Sequence, residues 1–422
     1  MVSSTTRSIP LPDGRRKPLA KPATTTRREF LHTVAVSPLA MRAPQTRYDL
    51  LIKGGRVVDP SRSVSSLLDV AVTGDRISRL APDLAAEQAD RVIDASGKIV
   101  TAGLIDVHVH VYAGVAGVGI WPDVACLERG ATTVVDGGSA GATTLAGFNR
   151  YVVERAQTRV RALLNLSSLG LVSMQELSSL GYADVERALR AIEAHRDIVL
   201  GIKVRMTSDI EGGQDARALS SALRLAEEAS LPLMVHIGGS PTPLGRLLDE
   251  LRPGDIVTHT YRAQGHILDR SGNVLPEARA ARERGVRFDV GHGAGNFSFR
   301  IAERALDMGF LPDSISSDIH SRNVDGPVFD LATTLSKFLH MAMSLEQCVA
   351  CATSQPASMF PFTEKLGSLE EGAEADIAVL DVVEGEFLLT DSGGDTRTAS
   401  RKLVPVATVK GGQLVRPTDD AR

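Results

Sequence analysis

The sequence predicts an α/β protein, a (β/α)8 TIM barrel joined to a small β-sandwich built from both chain ends. Three observations carry this reading. Through the middle of the 422 residues, a β-branched apolar run and an amphipathic helical pattern alternate eight times, the rhythm of parallel βαβ units. Short alternating runs broken by turn residues occupy both ends, as in antiparallel hairpins. Six of the eight barrel runs finish on a histidine, lysine or aspartate, at the strand ends where barrels of this kind keep their chemistry.

Taken in order, residues 1–46 are rich in Pro, Ser, Thr and Arg and lack hydrophobic periodicity, so they are expected to form a disordered arm or an export signal. Thr26-Arg27-Arg28-Glu29-Phe30-Leu31, followed by an apolar stretch to Met41, resembles a twin-arginine signal, which points to the periplasm, with the cytoplasm as the alternative. It departs from that pattern in its long leading segment, in His32 and Pro38, and in having no small-x-small cleavage site. Residues 47–102 hold the runs Leu50 to Val58, Asp69 to Ile77 and Arg91 to Val100, with turns at Thr73-Gly74-Asp75 and Ala95-Ser96-Gly97-Lys98. Residues 367–416 repeat the pattern in Asp376 to Val382 and Leu403 to Val415, with a turn at Lys410-Gly411-Gly412-Gln413. The sandwich is therefore expected to form only when the two ends meet.

Residues 103–366 are the expected barrel. Its strand runs are Leu104 to His110, Thr132 to Gly137, Arg161 to Ser167, Val199 to Arg205, Leu231 to Ile237, Asp255 to Tyr261, Val286 to Gly293 and Ser314 to His320. Helical patterns follow them, among them Asp184 to Ala194, Ala216 to Ala229 and Phe299 to Met308. Side chains alternate along a strand, so His108 and His110 point the same way, a metal-grasping arrangement. Lys203, His236, His259, His292 and Asp318 end later strands. Lys203 stands among aliphatics in a strand that a barrel buries on both sides. Burial lowers a lysine's pKa and frees its amine to react. With carbon dioxide that amine becomes a carbamate able to bridge two metals; the competing reading is an ion pair with Asp318 or another carboxylate. His32, His195 and His340 fall in the arm or on helices, and His266 in a loop, so none is assigned to the site.

Bulk properties narrow the function. A net charge of −4 provides no basic surface for a phosphate backbone, so nucleic acid is not an expected partner. No apolar run reaches the roughly 20 residues that cross a bilayer, so no membrane partner is expected either. Three cysteines cannot build a disulfide framework, and Cys348-Val349-Ala350-Cys351 lies in a helical pattern, which assigns it to core packing. The expected partner is a small-molecule substrate, and the chain is expected to form a homo-oligomer.

The order His-x-His, Lys, His, His, Asp on successive strands resembles the binuclear members of the amidohydrolase superfamily. The likeness extends to Leu51–Asp59, to Gly103-Leu104-Ile105-Asp106-Val107-His108-Val109-His110, to Thr353-Ser354-Gln355-Pro356-Ala357 and to Gly367–Val379. Phe288-Asp289-Val290-Gly291-His292-Gly293 and Ile315-Ser316-Ser317-Asp318-Ile319-His320 are most similar to its dihydroorotase-like amidohydrolase/deacetylase group. The resemblance implies a buried metal on His108, His110 and Asp318, an outer metal on His236 and His259, and carboxylated Lys203 bridging both. Zinc is the expected ion, with manganese, iron and cobalt as alternatives. It further implies attack of a metal-bridging hydroxide on an acyl carbonyl, with Asp318 passing the proton to the leaving group. Deaminases of the superfamily usually run on one metal without the fourth-strand lysine, so Lys203 favours amide or ester hydrolysis.

Arg205, two residues beyond Lys203, is expected to clamp a substrate carboxylate or to form a salt bridge at the rim. His292 is a candidate hydrogen-bond donor to the substrate, and Tyr261, Arg262 and His320 are further rim candidates. With 4% aromatic residues the pocket is not expected to be an aromatic cage. The sequence thus points to a metal-dependent amidohydrolase or deacetylase acting on a small acylated carboxylic acid. The alternatives are a cyclic-amide hydrolase of the dihydroorotase or hydantoinase kind and a non-catalytic barrel, though no ligand is missing.

Overall fold

The structure, a computed structural model, describes residues 47–415, so the arm with its arginine pair lies outside the described residues. Five strands precede the barrel: β1 (Tyr48–Asp59), β2 (Val64–Thr73), β3 (Arg76–Ala81), β4 (Ala89–Asp94) and β5 (Ile99–Ala102). Seven parallel strands follow: β6 (Leu104–Val109), β7 (Ala131–Asp136), β8 (Arg159–Asn165), β9 (Val199–Arg205), β10 (Leu233–His236), β11 (Ile256–Thr258) and β12 (Arg287–Phe288). The chain then returns through β13 (Ile377–Thr390), β14 (Thr396–Lys410) and β15 (Gln413–Val415).

The two chain ends do meet, in one eight-stranded sheet of order β15-β14-β13-β5-β1-β2-β3, with β4 on the first half of β1. That sheet curls back on itself, because the Ile77 amide donates to Ala373 O at 2.9 Å and the Gly372 amide to Ile77 O at 2.7 Å. The curl encloses an apolar core that includes Leu50, Ile52, Val70, Val100, Ile377 and Val409. Asp59, 1% exposed, ties the ends together. One carboxylate oxygen accepts from Ser61, and the other from Ser368 Oγ at 3.0 Å and the Leu369 amide at 2.8 Å.

The barrel sheet runs β6 to β12 in sequence order. Its strands read as continuous apolar runs because helices cover the outer face and packed side chains fill the inner one. Ile105, Val107, Val135, Leu163, Met234 and Ile256 join Met359 and Phe360 in a single plug beneath the strand ends. Helices Val185–Ala194, Asp215–Ala229 and Phe299–Asp307 lie where the apolar periodicity predicts them. Cys126, Cys348 and Cys351 are buried and unpaired. No helix among the described residues is long and apolar enough to cross a membrane.

The eighth strand differs from expectation. Residues 314–320 form no regular strand and close the barrel through bridges of Ser314 to Asp289 and Ile319 to Val109. The cause is local chemistry. Ser314 and Ser316 donate to Asp289, Ser317 donates to Asp106, and Asp318 takes a left-handed φ of 47°, so side-chain bonds replace part of the strand ladder.

Asp59→Ala leaves the buried Leu369 amide without an acceptor. It is expected to destabilise the protein by about 1–3 kcal/mol, read as a lower thermal midpoint. An unchanged midpoint would show that the tie between the chain ends is redundant.

Candidate metal centre

Backbone irregularities place the site. β6 breaks register with β7 between Asp106 and Val109, a bulge of the kind that re-aims side chains beside active sites. His108 and His110 both reach the cavity at the strand ends, with ring centroids 5.4 Å apart. His259 (φ 70°) and Asp318 (φ 47°) adopt left-handed backbone that non-glycine residues rarely hold; such strain persists where surrounding structure over-determines it. A cavity of about 400 Å³ gathers His108, His110, Lys203, His236, His259 and Asp318.

Hydrogen bonds on the outer ring nitrogens orient the imidazoles. His259 Nδ1 lies 2.7 Å from Gly291 O. A carbonyl can only accept, so this nitrogen carries the proton and Nε2 keeps its lone pair. His108 Nδ1 lies 2.9 Å from Thr258 Oγ1, which spends its own proton on Asp289 at 2.7 Å. The donor order runs imidazole, hydroxyl, buried carboxylate, again leaving Nε2 free. His110 Nδ1 meets Ser139 Oγ at 2.9 Å. Such outer partners fix tautomer and orientation in metal-binding histidines.

Electrostatics agree with ligand character. Burial holds the His108 imidazolium down at about 4, and burial likewise holds His236 and His259 well below the ordinary histidine value. Burial alone would raise Asp318, but His108, His110 and His259 hold it well below the usual carboxylate range. Its Oδ1 stands 3.6 Å from His108 Nε2 and 3.2 Å from His110 Nε2. Lys203 is 1% exposed, and burial lowers its ammonium to about 8. Its Nζ lies 2.8 Å from His108 Nε2 and 3.7 Å from Met234 Sδ. Among the described residues no carboxylate lies within 4.0 Å of it, so the ion pair with Asp318 does not form.

The rim residues divide. Arg205, Arg262 and His320 line the cavity. Arg205 forms the rim salt bridge, donating to Glu176 Oε2 at 2.7 Å and to Met174 O at 3.0 Å. Arg262 donates to the carbonyls of Ile237 and Gly238. Tyr261 is a correction: it is fully buried away from the cavity, with its hydroxyl 2.9 Å from Phe310 O. The left-handed turn at His259 breaks the strand alternation that would have carried Tyr261 inward. His292 is a second correction. Gly291 (φ 52°) and Gly293 (φ 57°) turn it out of register, and its Nε2 meets Lys337 Nζ at 2.7 Å in the barrel wall. Sequence reasoning missed Leu171, Met174, Asn296 and Arg322, which also line the cavity, together with Val118, Thr207, Gly238, Ala294 and Gly295. Only Asn296 had a visible cue, the glycine-rich stretch before it.

Residues 99–415 match the family model described as the amidohydrolase family. The chain belongs to the amidohydrolase family. A deacetylase of Agrobacterium fabrum is 35% identical to it over 355 residues, covering 83% of this chain and 87% of that protein. A solved structure described as an adenine deaminase superposes with TM-score 0.80 at 35% identity, covering 87% of this chain and 99% of that one. One described as a dihydroorotase gives TM-score 0.80 at 33% identity, covering 87% and 98%. Members of the family generally use a divalent metal, and in this amidohydrolase His108, His259 and Asp318 offer ligand atoms within 4.8 Å of one another.

Thr258→Val interrupts the relay from Asp289 to His108. It is expected to cost this amidohydrolase roughly 10- to 100-fold in metal affinity or activity, measured by chelator competition and steady-state rates. Tyr261→Phe, which removes only the bond to Phe310, is expected to lower stability by about 1 kcal/mol and leave both untouched. Equal effects of the two substitutions would dissolve the distinction between site and scaffold.

Proposed function

We propose that this amidohydrolase is a binuclear metal hydrolase that removes an acyl group, held by an amide or ester bond, from a small carboxylic acid. The observation that carries the reading is Lys203: sealed in the barrel, without a carboxylate partner, its amine aimed at the imidazoles. A neutral amine there adds carbon dioxide to form a carbamate and release a proton. The new carboxylate would add oxygen ligands to the five imidazole and carboxylate groups already there. His108, His110 and Asp318 would hold one ion and His236 and His259 the other, with Lys203 shared between them; zinc suits this nitrogen and oxygen set. Two such ions, when bound, acidify water and polarise an acyl carbonyl.

The chain's own residues then have defined tasks. Asp318 is positioned to take a proton at Oδ1 and return it to the leaving nitrogen or oxygen, while Asn296 Nδ2 stands 3.4 Å from Oδ2. Asp318 is the lone carboxylate among the cavity-lining residues, which include the guanidiniums of Arg205, Arg262 and Arg322. Glu176 neutralises Arg205, whereas Arg262 meets only backbone carbonyls and Arg322 forms no ion pair among the described residues. Arg262 and Arg322 are therefore the groups left to receive a substrate carboxylate. Leu171 and Met174 form the apolar side of the cavity, against which the acyl group would rest.

A second reading, a cyclic-amide hydrolase, is supported by the likeness to a dihydroorotase structure and would use the same ligands. A deaminase reading, suggested by the name of the other solved structure, gives Lys203 no task. Rates on N-acetyl, O-acetyl and cyclic-amide acids, assayed with zinc-loaded protein, separate the three.

Purified protein is expected to carry about two divalent ions per chain, counted by elemental analysis. A reproducible value near zero in folded protein would remove the catalytic reading. Lys203→Ala is expected to abolish turnover, with partial recovery on adding short carboxylic acids that mimic the carbamate. Undiminished turnover in that variant would mean a one-metal route.

A further inference from the structure

Two buried groups take no part in the chemistry above. His292 is fully buried outside the cavity, with Nδ1 donating to Gly293 O at 2.9 Å and its ring stacked on Phe297 at 4.5 Å. Lys337, on helix Leu331–His340, is fully buried, with no carboxylate within 4.0 Å among the described residues. Burying an ammonium among neutral acceptors is costly, and an apolar side chain would fill that space more cheaply. What the ammonium provides is three directed donors. They reach His292 Nε2 at 2.7 Å, Pro327 O at 2.9 Å and Thr390 O at 2.7 Å.

Thr390 opens the β13–β14 hairpin turn, which grips the same stretch of chain. Ser392 Oγ accepts from the Phe297 amide at 3.2 Å and faces the carbonyls of His292 and Gly293 at 3.2 and 2.9 Å. The Ser392 amide donates to Phe297 O at 3.1 Å, and Asp391 accepts from the Phe299 amide at 3.0 Å. The held stretch, residues 291–299, has its other side at the metal centre. Gly291 O fixes the tautomer of His259. Gly293 lies so close to Asp318 that a Cβ there would stand 2.3 Å from Oδ2. Ala294, Gly295 and Asn296 are cavity wall.

We infer that the β13–β14 turn, acting with Lys337 and His292, is the positioning device for His259, Asp318 and the 294–296 wall. Ser392, Lys337 and His292 are positioning residues, since none lines the cavity. The end of the chain thus completes a site whose ligands all precede it. The inference deepens the proposed metal reading, and its affinity arm rests on that reading.

The test compares full-length protein with Ser392→Ala and Lys337→Met in two measurements: zinc affinity by chelator competition, and hydrogen–deuterium exchange of peptides spanning 290–299. Both variants are expected to bind zinc roughly 10- to 100-fold more weakly, and to exchange faster across 290–299 while 104–110 stays protected. Saturating zinc is expected to restore kcat of Ser392→Ala, because the loss lies in holding the ions and not in the proton transfer. Unchanged affinity and exchange in folded Ser392→Ala overturn the inference, and this milder substitution decides if Lys337→Met does not fold. If the parent protein binds no zinc, the metal reading fails separately. Exchange then decides alone, with full protection of 290–299 in Ser392→Ala counting against the inference.

Discussion

The constraint on which the site depends is an amine sealed inside a barrel without a counter-ion. A lysine at the Lys203 position has to shed its charge, find a carboxylate or change chemically. The register of β9 against β8 and β10 sets Lys203 beside Asn165 and Met234, neither of which can neutralise it. The one carboxylate of the cavity, Asp318, is held by His108 and His110 instead. The imidazole the amine does touch, His108, is held by burial at a pKa of about 4. A further buried acid that acts on it electrostatically, Asp289, has its oxygens occupied by Thr258, Ser314 and Ser316.

Much of this was legible from residue order. The eight-fold rhythm located the barrel, and the seven regular strands β6 to β12 fall within or overlap the expected runs. His108, His110, Lys203, His236, His259 and Asp318 all reach one cavity. Alternation failed where the backbone leaves the extended region. Extending the sixth strand to Tyr261 ignores the left-handed turn at His259, and extending the seventh through His292 ignores two left-handed glycines. No local pattern announces positive φ at a histidine, because tertiary bonds impose it.

The supporting shell was not legible for a different reason. Thr258, Ser139 and Asp289 are ordinary buried polar residues, and their importance lies in which nitrogen they face. Glu176 belongs to a loop without periodicity, and only its bond to Arg205 shows that this guanidinium is already committed. Arginine at the right strand end looked like a substrate clamp. The carboxylate beneath it, Glu176, is its partner in the structure.

The two chain ends therefore do more than cover the barrel. Asp59 joins β1 to Leu369, β13 pairs with β5, and the far end of β13 delivers Thr390 to the barrel wall. A sheet that were only a lid could end in any turn. This one ends in a turn whose backbone and hydroxyl satisfy groups from His292 to Phe299. Since Gly293 leaves no space beside Asp318, a small displacement of that stretch moves a carboxylate that lines the cavity, and interiors packed this closely transmit such displacements. Sheet and barrel are thereby joined through the geometry of the site itself.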